Sequence, residues 1–100
     1  MYARDYLVTE CTLMGAVDSF LKSVVHVRPQ LVNGFEEIAE AWIDSWFEAG
    51  GANTLEAIDR RWLQHYVEQR GNAREEVERF LHTFYAWAVK ENLVDASPLN

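Results

Sequence analysis

Apolar residues recur along the chain with the period of an α-helix in four separate stretches. Leu13, Ala16, Val17, Phe20, Leu21 and Val24 follow the i, i+3, i+4, i+7 rule of a buried helix face. They predict a first helix over 12–27, capped by Thr12 or Thr9. Pro29 closes it, because the residue before a proline is pushed out of the α region. Phe35, Ile38, Ala39, Trp42 and Trp46, with Ile43 and Phe47 widening the stripe, predict a second helix over 34–49. Asn33-Gly34 reads as the turn or cap before it, and Gly50-Gly51 as its stop. Trp62, Leu63, Tyr66 and Val67 give a third helix over 59–70, with Asp59 as N-cap and Gly71 just past the end. Leu55 and Ile58 suit an extra turn at 54–58. Val77, Phe80, Leu81, Phe84 and Ala88 form the clearest stripe and predict a fourth helix over 73–91. Asn72 and Glu75 read as a variant capping box at its start. Asn92 suits a left-handed end followed by the apolar Leu93, and Pro98 forbids continuation. Residues 1–11 are a mixed lead-in. The expected architecture is an all-α bundle of four helices with short connections.

Composition narrows what such a bundle does. One hundred residues make one domain, and 49% apolar residues with four Trp supply a core for it. Nine Lys and Arg against 16 Asp and Glu leave a net charge of −7. That balance argues against a generic binder of nucleic acid or anionic membrane, which needs a positive field, but leaves room for a local basic patch. A single cysteine, Cys11, excludes an intramolecular disulfide and has no partners for a zinc site. His65 and His82 lie in different predicted helices with no thiol at ligand spacing, so neither a metal nor a cofactor is expected. Apolar runs are far too short for a membrane span. The opening MYARDYLVTE carries charges where a signal peptide needs an apolar stretch, so a soluble, cytoplasmic protein is expected.

The second half of the chain carries a more specific pattern. Leu55-x-x-Ile58-Asp59, then Leu63-x-x-Tyr66-Val67, then Arg70-Gly71, resembles the third-helix region of the core-binding domain of tyrosine recombinases, the phage integrases. The run from Phe80 to Val94 is similar to the fourth helix of that domain, and Ser97-Pro98-Leu99 stands where the family has Asn-Pro before its catalytic domain. The resemblance covers roughly 12–99 and is specific over 55–99; order and spacing carry it, not one motif. It implies a SAM-like four-helix bundle that forms half of a clamp on recombination-site DNA, with the second and fourth helices against the duplex. The other half would be a separate catalytic domain bearing a Tyr nucleophile, two Arg and a His-x-x-Arg element. None of His26, His65 and His82 is followed by Arg at the third position, so no catalytic residue is expected here. The chain is expected to be either an N-terminal domain of a recombinase, partnered by its catalytic domain, or a stand-alone relative.

Read with the resemblance, the candidate contacts to double-stranded DNA are Arg60, Arg61, Arg74, Arg79, His82, Thr83 and Lys90. Arg60 and Arg61 follow the Asp59 cap, where backbone N–H groups favour phosphate; the competing reading is an ion pair with Glu56 and Asp59. Arg79, Thr83, Ala86 and Lys90 recur at i, i+4, i+7 and i+11, opposite the apolar stripe of the fourth helix and flanked by His82 and Glu75. The competing reading is an ordinary solvated face. The four tryptophans are expected in the core or at its edge, not on a stacking platform.

The chain departs from the family where phosphate donors are usual. Arg28-Pro29-Gln30-Leu31-Val32-Asn33 replaces a Leu-Ser-x-x-Thr element, Ala73-Arg74-Glu75-Glu76 replaces Thr-Ile-Asn-Arg, and His82 replaces an Arg. In the second helix Glu36, Glu37, Glu40, Asp44 and Glu48 fall opposite Phe35, Ile38, Trp42 and Trp46. Five carboxylates would repel DNA if that face docked as in the family. A solvated face, a face for a basic partner and adaptation to high salt all account for them. The rival function is therefore a stand-alone acidic helical module that binds protein and has lost DNA binding.

Overall fold

The computed structural model describes residues 12–27 and 29–99, with the side chains of 25–33 outside the description. Four α-helices account for most of it: α1 (Leu13–Val27), α2 (Pro29–Glu48), α3 (Arg60–Glu68) and α4 (Arg74–Lys90). Short 3-10 turns at Leu55–Ala57 and Gly71–Ala73 precede α3 and α4, and no strand occurs among the described residues. The turn at Leu55–Ala57 is the extra turn that Leu55 and Ile58 suggest.

Each end is set by local chemistry. The Gly15 amide donates to Thr12 Oγ1 at 3.0 Å, so Thr12 caps α1; Thr9 and Cys11 lie outside the described residues. The Trp62 amide donates to Asp59 Oδ1 at 2.7 Å, which fixes the start of α3. Gly50 closes α2 at φ +87°, with the Gly51 amide donating back to the Trp46 carbonyl at 2.9 Å. Asn92 closes α4 at φ +61°, and the Leu93 amide donates to the Ala88 carbonyl at 2.9 Å. Both are the paired-bond helix end that a left-handed residue makes possible.

Two expectations about helix starts need correction. α2 begins at Pro29, five residues before position 34, and Asn33-Gly34 lies inside it. A proline that ends one helix can open the next, because its missing N–H is not needed in a first turn and its φ is already helical. A Cβ at Gly34 would meet nothing within 4 Å, so that glycine answers no packing demand. Asn72 does not cap α4 either. The cap position is Ala73, without a side-chain bond. Gly71, at φ +58°, starts a 3-10 turn that runs directly into the helix. The Ala73 amide donates to the Arg70 carbonyl at 3.1 Å and the Arg74 amide to the Gly71 carbonyl, so backbone carbonyls serve the amides of the turn that leads into α4.

α4 is the centre of the bundle and packs against α1, α2 and α3. Its Phe80, Leu81 and Phe84 are fully buried. Phe84 meets Phe20 of α1 edge-to-face at 5.4 Å and Trp42 of α2 at 5.5 Å. Burying such a ring stabilises by roughly 2–3 kcal/mol, and aromatic pairing adds about 1 kcal/mol. Trp42 and Trp46 are buried, and Trp62 and Trp87 pack half-buried against the same cluster, which places all four tryptophans in or at the edge of the core. No polar or charged residue is buried among the described residues. Tyr85 is buried although it stands outside the predicted stripe.

Candidate nucleic-acid interface

The cations of α3, of α4 and of the turn between them divide into two groups. Arg70 is tied into the fold, with its Nε donating to the Tyr66 carbonyl at 3.1 Å and its guanidinium 4.3 Å from the Tyr66 ring centroid. Arg74 pairs with Glu78 one turn on, at 3.3 Å, and lies in a cleft with Gln64, Val67, Glu68 and His82. Five residues separate it from Arg79, so it projects about 140° away around α4. It does not join the stripe of Arg79.

Arg60, Arg61, Arg79 and Lys90 form the second group. All four are exposed and have no ion-pair partner among the described residues, where the ion pairs are Lys22–Asp18 and Arg74–Glu78. The ion pair of Arg60 or Arg61 with Glu56 or Asp59 is not formed; the Asp59 carboxylate caps the helix instead. Two cations in a first turn are opposed by the helix dipole. An anion placed between them and the N-terminal amides would reverse that sign.

Arg79, Thr83, Ala86 and Lys90 line up along the outer surface of α4, each exposed. Thr83 is already engaged, its hydroxyl donating to the Arg79 carbonyl at 2.8 Å, which leaves the oxygen as an acceptor. Ala86 keeps the surface low between the two cations. His82 sits at the edge of this stripe and is exposed, bordering the cleft beside α3 and a second cleft toward Asp95–Ser97. Thus Arg79, Lys90 and, at its edge, His82 share one side of α4, while Arg74 faces α3.

The acidic face of α2 exists as the sequence implies: Glu36, Glu37, Glu40, Asp44 and Glu48 are all exposed. Its opposite side packs Trp42 on Phe80 and Phe84 of α4. The acidic face and the cationic stripe therefore point away from a common core, and neither neutralises the other. Among the described residues there is no His/Cys/Asp/Glu cluster able to hold a metal, and no helix long and apolar enough to cross a membrane.

Apolar spacing does not reveal Tyr85, which is 1% exposed although its hydroxyl has no hydrogen-bond partner among the described residues. Burial pushes its ionisation well above the usual tyrosine range. Compared with known protein families, with curated proteins and with solved structures, the chain matches none.

Proposed function

We propose that this chain is a non-enzymatic DNA-binding module, a SAM-like bundle of the core-binding kind that works beside the catalytic domain of a tyrosine recombinase. The observation that carries the reading is the set of exposed cations without an ion-pair partner among the described residues, Arg60 and Arg61 at the start of α3 with Arg79 and Lys90 along α4. Free cations on two adjacent helices, one set at a helix N-terminus and the other astride a small residue, are what phosphate contact requires. Such contacts position a duplex; sequence would be read by other means or by the partner domain. The sequence has no His-x-x-Arg element to stabilise a transferring phosphate, so on this reading the chain binds DNA and the partner domain cuts it.

The test is a fluorescence-anisotropy titration of duplex DNA at low salt with the native chain and two double variants. Arg60→Ala/Arg61→Ala and Arg79→Ala/Lys90→Ala are each expected to remove most of the affinity while circular dichroism stays native. Equal binding by all three proteins would remove these residues from the interface. The second reading, an acidic module for a basic protein, is favoured by the five exposed carboxylates of α2, which also have no ion-pair partner among the described residues.

A further inference from the structure

We infer that the cleft between α4 and the C-terminal segment takes one unpaired guanine base from a DNA strand whose phosphates lie on the cations of α4. The cleft has a volume of about 640 Å³, within the range of sites that take small organic ligands. Ala86, Val89 and Ala96 give it apolar walls, and His82, Asp95 and Ser97 bring polar groups to the same space. It adjoins the candidate interface directly. His82, Ala86 and Val89 form a row along α4 at i, i+4 and i+7, and Arg79, Thr83, Ala86 and Lys90 form the neighbouring row. The two rows share Ala86, and His82 stands about 60° around the helix from Arg79.

Position, shape and hydrogen bonding together select the ligand. Because the rows adjoin, a nucleotide whose phosphate meets Arg79 or Lys90 directs its base toward the cleft. The apolar walls suit the faces of a flat ring, and the exposed His82 imidazole is a surface on which a base stacks. The polar groups offer both an acceptor and donors. Asp95 has no ion-pair partner among the described residues, so its two carboxylate oxygens are there to accept. The Ser97 oxygen accepts from the Leu99 amide at 3.2 Å, which leaves its O–H to donate. Guanine presents two adjacent donors, N1–H and N2–H, beside the acceptor O6 on its Watson–Crick edge. A carboxylate accepts both donors side by side, as it does from the fork of an arginine, and the Ser97 hydroxyl or the His82 N–H meets O6. The other three bases present one donor group on that edge, so none uses both carboxylate oxygens. Within a duplex the edge is occupied by pairing, so the base that enters is an unpaired one. The inference rests on the DNA-binding reading, which places phosphate beside the cleft.

The experiment compares, by fluorescence anisotropy of the full chain at fixed low salt, a fully paired duplex with duplexes carrying one unpaired dG, dA, dC, dT or deoxyinosine. Deoxyinosine lacks only the N2 amino group of guanine. The unpaired-dG duplex should bind about tenfold more tightly than the dA, dC and dT duplexes, and deoxyinosine should lose most of that margin. Bulges of equal size bend the duplex alike, so the comparison isolates the base. Asp95→Asn, at an exposed position, should remove the dG margin and leave the other duplexes bound at least as tightly. An Asp95 that acts only by its charge would instead strengthen every duplex equally in that variant and preserve the margin. Equal binding of the four unpaired bases, or an unchanged margin in Asp95→Asn, overturns the inference while DNA binding itself stands. If no duplex binds, the DNA-binding reading fails, and an NMR titration with guanosine and adenosine monophosphates decides the cleft by itself. Saturable shifts at Ala86, Val89 and Ala96 that are larger with the guanosine nucleotide uphold the site, and their absence overturns it.

Discussion

Replacing Gly51 with alanine should destabilise the bundle far more than replacing Gly50, although Gly50 is the residue with the left-handed backbone. At Gly50, φ is +87° and a Cβ would meet nothing within 4 Å, so Gly50→Ala carries only the strain of a side chain in that region. That strain costs about 1–2 kcal/mol. At Gly51 a Cβ would overlap the indole of Trp46. The ring cannot yield freely. It is 8% exposed, its Nε1 donates to the Ala52 carbonyl at 2.8 Å, and it meets Trp62 edge-to-face at 5.0 Å. Displacing it adds overpacking of about 1–3 kcal/mol to a lost hydrogen bond of about 1 kcal/mol and a weakened aromatic pair of about 1 kcal/mol. The combined loss is about 3–5 kcal/mol, against a total stability of about 5–15 kcal/mol for a domain. Urea denaturation followed by tryptophan fluorescence measures both variants. With a slope of about 1–1.5 kcal/mol per molar urea for a chain this small, the Gly51→Ala midpoint should fall by about 2–5 M, and the Gly50→Ala midpoint by about 1–2 M. A Gly51→Ala midpoint at or above that of Gly50→Ala would refute the packing argument at this turn.

Other outcomes follow from single contacts. Asp59→Ala removes the acceptor of the Trp62 amide and should cost about 1 kcal/mol in the same denaturation assay, with Asp59→Asn nearly neutral. Burial raises the ionisation of Tyr85 and, more weakly, of Tyr66, where Arg70 partly offsets it. The folded chain therefore holds its phenolic protons at pH values where the unfolded chain releases them. Stability should be full below the ordinary tyrosine range and fall as pH rises through it, by up to about 1.4 kcal/mol per pH unit for each group. Tyr85→Phe should flatten that decline in pH-resolved thermal melts; an unchanged decline would show that Tyr85 stays protonated in neither state's favour.

Most of the helical framework is legible from apolar spacing, because each helix buries one stripe and the stripe repeats with the helix period. The errors fall where one residue signals two things. Pro29 breaks a helix and starts another, so the stretch to Gly34 reads as a loop when it is two turns of α2. Asn72 has the residue type of a cap, but the glycine before it opens a 3-10 turn that takes up Asn72 and puts Ala73 at the cap position. Tyr85 is missed because α4 packs against three helices, and its buried arc is wider than the single stripe that spacing detects. For the candidate interface, exposure of Arg79 and Lys90 follows from their position opposite the stripe. The engagement of Arg74 was also readable, since Glu78 stands four residues on at ion-pair spacing. The freedom of Arg60 and Arg61 was not readable, because Asp59 could serve either as cap or as ion-pair partner.

If the cations of α3 and α4 meet phosphate, duplex binding weakens steeply with salt, and the slope of that dependence counts the contacts. Each phosphate neutralised contributes about −0.9 to the slope of log K against log salt, so four cations give a slope near −3 to −4. The exposed acids of α2 are screened beyond about 8 Å at physiological salt and oppose binding most strongly at low salt. Binding should be weak with that slope, lowered by about two when Arg79 and Lys90 become Ala, and tighter at low salt when Glu40 and Asp44 become Gln. No detectable binding at low salt by either the native chain or the Glu40→Gln/Asp44→Gln variant would contradict it and leave the acidic protein-binding module as the reading of this chain.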